Sequence, residues 1–212
     1  MANRLPSGLP VPEDATCKLL RFAEEEYAYY DEIPSTRPYA VTPLDVIVTA
    51  GVNSRIGAGD RIRAIHRGLA ERCDPILRSI PEDARLLDED WPKQATYDLL
   101  AAACSVKWVL LAVATKVLHR KRRALIPMLD GVLLQYYVGE KGVNRAQDKR
   151  RAAGEGVKAL GMFRADLEAC HSTVSELAAT LRNHGFPLSE VRILEILIWI
   201  ETEPAGYYRR VT

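Results

Sequence analysis

The chain has 212 residues, 48% hydrophobic and 27% charged, with 29 Lys and Arg against 28 Asp and Glu, a composition that argues for a globular chain with a core and against disordered or fibrous classes. No apolar run approaches the roughly 20 residues that cross a bilayer, and the N-terminus carries no apolar export signal, so a cytoplasmic location without membrane contact is expected. Cysteines 17, 73, 104 and 170 and histidines 66, 119, 171 and 184 share no ligand-type spacing, so reduced thiols, no metal and no cofactor are expected.

Nearly every periodic stretch predicts helix. Residues 13–31 set Leu19, Leu20, Phe22, Ala23, Tyr27 and Tyr30 on one face, with Glu24, Glu25 and Glu26 outside. The proline-rich "IPSTRPYAVTP" breaks the chain, and Thr42 before Pro43 predicts a capped helix start running to about Asn53. "NSRIGAGD" reads as a turn, with Gly57 and Gly59 in it and Asp60 capping the next helix, whose stripe is Ile62, Ile65, Leu69 and Ala70. Pro75 and Pro81 divide off short helices, and another helix begins near Pro92. After a break near Ser105, "WVLLAVATKVL" is apolar all round and predicts the central buried helix. Pro127 ends the basic stretch, "MLDGVLLQYYV" resumes as helix, and a polar connection leads to a long helix over roughly 153–183. A last apolar helix, "SEVRILEILIWI", follows Pro187. "YAV" and "VIV" are the candidates for short strands, but the class expected is all-α. One globular unit is expected, divisible into two packed helical subdomains, about 42–130 central and 1–41 with 131–212 flanking.

The near-neutral total hides a segregation of charge. Between Lys116 and Arg151 stand ten basic residues and three acids, whereas the first 32 residues hold seven acids against Arg4, Lys18 and Arg21. The run His119, Arg120, Lys121, Arg122, Arg123 reads either as a solvated helix end complementing the macrodipole or, with Lys116 and the second cluster Lys149, Arg150, Arg151, as a groove for phosphates. Asp130 likewise has two compatible readings. It caps the helix it precedes, and among Leu125, Ile126, Met128, Leu129 and Val132 a carboxylate stabilises developing positive charge better than it does in water.

The pattern "ATK-x-L", a short basic stretch and then "P-x-x-D" resembles the core of the helix-hairpin-helix DNA glycosylases, over about residues 100–140. More closely, "ATKVLHRKRRALIPMLDGV" is similar to a bacterial domain family of unknown function. The glycosylase resemblance implies a helical fold of that type, duplex DNA with a flipped base as partner, and Asp130 as the catalytic carboxylate beside the oxocarbenium-like sugar, with the basic residues holding the backbone. The sequence departs from the pattern in three places. No hairpin glycine occurs in "SVKWVLLAVATK"; Lys116 lies one turn past the Schiff-base position, so water is the expected nucleophile; and the four cysteines lack the compact spacing of the cluster-bearing members, so no iron–sulfur centre is expected. The role expected is base-excision repair or defence against phage with modified bases. The alternative is a non-catalytic DNA-binding module on the same fold.

Tyr136 and Tyr137 follow Asp130 by six and seven residues, so one of them can return to the pocket side as a base clamp, or both can simply pack. Of the other aromatics, the pairs Tyr29/Tyr30 and Tyr207/Tyr208 have no assigned role, and Trp108 and Trp199 are expected in the core.

Overall fold

The computed structural model describes residues 5–24, 28–52, 54, 56–57, 59–139 and 148–202, the side chains of 28 and 29 excepted. Among the described residues the elements are helices, with no strand: α1 Ala15–Phe22, α2 Ala28–Glu32, α3 Pro43–Val48, α4 Gly59–Leu77, α5 Lys93–Cys104, α6 Leu111–His119, α7 Gly131–Val138, α8 Lys149–Ala169, α9 His171–Asn183 and α10 Glu190–Thr202. The class is all-α. "VIV" lies in α3, and "YAV" is part of a turn and extended connection.

Local chemistry sets several of these boundaries. Thr42 caps α3 in a full capping box with Asp45, and Pro43 occupies the first turn, where its missing N–H costs nothing. The helix tightens into a 3₁₀ turn over Thr49–Val52, close to the expected end. Of the predicted first helix, α1 and α2 are described, and residues 25–27 between them lie outside the described residues. Two boundaries differ from expectation. Pro75 does not end α4, because it sits in the last turn, where the helix forfeits one hydrogen bond and stops two residues later at Leu77. The long helix predicted over 153–183 begins earlier and is broken at Cys170 (φ −112°, ψ 15°), which ends α8 and precedes α9.

α5 is the hub. It packs against α4, α6 and α8, and Leu99, Leu100 and Ala103 are fully buried there. The short connection from α5 to α6 seats on α4 at Gly68, where an added Cβ would meet Val106 Cγ1 at 2.8 Å, so only glycine permits that approach. Trp108 in this connection has φ +67°, a left-handed conformation that costs an L residue roughly 1–2 kcal/mol. α6 is buried nearly all round, as its sequence predicts. One apolar cluster runs from Leu5 to Ile198, and a smaller group joins Tyr30, Val48, Val52 and Met128 between the 3₁₀ turn and the approach to α7.

Candidate functional site

The basic run follows the last turns of α6 and turns inward. His119, Arg120, Lys121 and Arg122 are all buried, Arg122 completely. Arg120 donates from Nε to Asp45 Oδ1 (3.1 Å) and from its terminal nitrogens to the carbonyls of Tyr30 and Pro34. Lys121 Nζ binds Asp45 Oδ2 at 2.5 Å and donates to Ser35 Oγ and the Arg37 carbonyl. The Arg122 fork donates to four carbonyls, Pro38, Lys121, Leu77 and Ile80, of which Leu77 closes α4. Arg123, half-buried, donates to the Asp31 carbonyl at 3.3 Å. His119 donates from Nδ1 to the Ile126 carbonyl (2.7 Å). Burial, helped by the Arg192 charge, lowers its pKa to about 4, so the ring is neutral at physiological pH. Burial also pushes the Asp45 carboxyl up, but hydrogen bonds from Lys121 and Thr42 outweigh it and hold it below its ordinary range. Neither the solvated helix end nor an open phosphate-binding rim describes residues 119–122, whose cations satisfy the protein's own carbonyls.

The second cluster lies elsewhere. Lys149, Arg150 and Arg151 open α8 behind the Asp148 cap, which accepts from the Arg150 and Arg151 amides. Lys149 is close enough to Cys104 for its charge to oppose the burial that pushes that thiol up to about 11. Cys104 ends α5, just before the connection into α6, whereas residues 120–123 follow the far end of α6, a nine-residue helix about 13 Å long. The two clusters therefore lie toward opposite ends of α6. Lys141, Arg145, Glu25, Glu26, Tyr207 and Tyr208 lie outside the described residues.

The tyrosines also point away from Asp130. Tyr137 is buried against Phe163 and donates to Asp166 Oδ2 at 3.0 Å. The Tyr136 hydroxyl hydrogen-bonds Ser7 Oγ, which in turn donates to Asp166. This network fastens the N-terminal segment to α7 and α8, and the expected base clamp is not formed by these two residues.

Asp130 fulfils the expectation of a cap. Its Oδ1 accepts from the amides of Val132 (2.8 Å) and Leu133 (3.1 Å). Its other oxygen has no hydrogen bond among the described residues, and the side chain lines a hollow of about 60 Å³ with Lys116, Arg192, Glu195, Phe22 and Trp199. That volume suits a few waters and not a nucleobase. Lys116 donates to the Val52 carbonyl. Burial lowers its pKa while Asp130 and Glu195 oppose that. Glu195 accepts from the Met128 amide (3.0 Å) and from Arg192 Nη1 (2.6 Å). Burial is the main cause that raises its pKa to about 7, with Asp31 and Asp130 adding and Arg192 opposing. Arg192 Nη2 is buried without a partner among the described residues, which offers a donor beside two carboxylates.

A larger cleft, about 640 Å³, has Phe22, Asp31, Arg123, Phe186 and Leu188 in its lining. Phe22 borders both spaces, and Arg192 links them by bonding Asp31 at 3.0 Å and Glu195. Sequence reading missed Arg192 and Glu195. The available signal was an i,i+3 charge pair inside the otherwise apolar "VRILEILIWI", since unpaired charges are rarely buried.

No helix among the described residues is long and apolar enough to cross a membrane. No curated protein and no solved structure matches the chain. A sequence model does match, over residues 18–202, and on that coverage the chain belongs to the family of unknown function DUF6308.

Proposed function

We propose that the chain is a monofunctional DNA N-glycosylase that releases a damaged or modified base with water as the nucleophile. The observation that carries this reading is the half-engaged Asp130 carboxylate. One oxygen holds a helix start and the other is left to a water-sized hollow shared with Glu195, Lys116 and Arg192. In the proposed reaction the C1′–N bond breaks with its electron pair leaving on the base, which takes up a proton. Water adds to C1′, and its proton passes to a carboxylate. Asp130 stabilises the sugar cation from a partly apolar wall, and Glu195, whose pKa is raised to about 7, is suited to hold or pass a proton near neutrality. Lys116 is tied to the Val52 carbonyl and buried, which argues against an amine nucleophile. The 640 Å³ cleft beside Phe22 falls within the range of small-molecule sites, and on this reading it accommodates an extruded base, enlarged or not.

The Asp130 cap and the small volume beside it favour a second reading, a DNA-binding module without chemistry. Turnover separates the two. Duplex oligonucleotides, each carrying one modified base, are incubated with the protein and then heated in alkali. A strand break at the modified base is expected for at least one substrate. Binding without breakage across the whole panel would leave the second reading standing.

A further inference from the structure

The α5–α6 connection carries an exposed indole in a conformation that the side chain disfavours. Trp108 is 46% exposed and has φ +67°, where a bulky residue is an outlier. Such positions persist when the surroundings impose them, and they concentrate at binding sites. The surroundings here are specific. Arg61, on the first turn of α4, holds its guanidinium carbon 5.3 Å from the ring centre, and Lys107 holds its ammonium at 4.5 Å. The Arg61 side chain passes Gly57 so closely that a Cβ there would meet its Cδ at 2.9 Å. The Lys149 charge is felt at Cys104, where the same connection begins. Packing does not account for the indole's position, since a large part of it faces solvent.

We infer that Trp108, Arg61 and Lys107 form a contact surface for single-stranded DNA, in which an unpaired base stacks on the indole and the two cations move onto the flanking phosphates. A surface aromatic is sequence-tolerant because every base has a π-face, and displaced cations find phosphates one nucleotide away. The inference rests on the DNA reading above but not on its chemistry. It also supplies the cationic surface that residues 119–122, buried as they are, do not.

The test is fluorescence anisotropy of a short fluorescein-labelled oligothymidylate at low salt. Wild type should bind. Trp108→Gly, which suits the left-handed backbone and so should fold, is expected to bind roughly tenfold more weakly or worse, while Trp108→Phe recovers much of the affinity. Arg61→Gln with Lys107→Gln should reduce the slope of log affinity against log salt by about 1.4. No binding by wild type, or equal affinity in a folded Trp108→Gly, overturns the inference; the second result would give the indole to another kind of partner. Oligothymidylate carries no modified base, so loss of binding and loss of excision are read independently.

Discussion

Asp130 has two duties that substitution can separate. Asparagine caps a helix about as well as aspartate, whereas alanine does not, so Asp130→Ala should cost about 1 kcal/mol in urea denaturation and Asp130→Asn almost nothing. Equal costs would mean that the bonds to Val132 and Leu133 do not hold the helix start. His119 and Glu195 shift stability in opposite directions with pH. His119, with its pKa lowered from 6.5 to about 4, remains neutral while the unfolded chain takes up a proton. Its contribution is complete above about pH 6.5 and is lost as pH falls through 4, on the order of 3 kcal/mol in full. Glu195, raised from 4.5 to about 7, contributes stability that is present below 4.5 and lost as pH rises through 7. His119→Asn keeps a donor near Ile126 without a titrating ring. Between pH 7 and pH 4.5 it should therefore lose less stability than wild type. Equal losses would show the ring to be protonated in the fold.

Among the elements, the most consequential is the connector between α2 and α3. It carries Pro34 and Pro38 and is followed by Pro43, and a proline-rich segment has carbonyls but few amides with which to pair them. Its carbonyls at 34, 37 and 38 are met by Arg120, Lys121 and Arg122. Here the cationic run and the proline segment explain each other, yet they lie some eighty residues apart in the chain. Arg122→Met should therefore cost about 3 kcal/mol or more, because four carbonyls lose the arginine donor at once, three of these bonds buried. Arg122→Lys should also destabilise, since an ammonium cannot reproduce the fork. Arg123→Gln should stay within about 0.5 kcal/mol of wild type. Denaturation of the three variants checks this order, and a mild Arg122→Met would contradict the role given to the run. The helix starts at Thr42–Pro43, after Pro92 and at Asp130 were legible because each has a local chemical cause. The break at Cys170 has no proline or glycine to mark it, and Pro75 misled because its place within the last turn depends on where α4 ends.

Over the whole molecule, the apolar periodicity was enough to give the class and the buried character of α6, since both follow from local pattern. The site was only partly legible. Asp130 was, because a lone carboxylate at a helix start among apolar residues stands out. Its companions Arg192 and Glu195 come from α10, more than sixty residues on, and only folding brings them to the hollow. Tyr136 and Tyr137 were misplaced because spacing along a helix gives the turn they occupy but not which face α8 covers; Asp166 decides that. The most direct measurement of the central claim is alkali-labile cleavage of a susceptible modified duplex by wild type and Asp130→Asn side by side, at equal stability and equal DNA affinity. Breakage is expected with wild type and none above background with the variant; equal breakage by both would remove Asp130 from the chemistry.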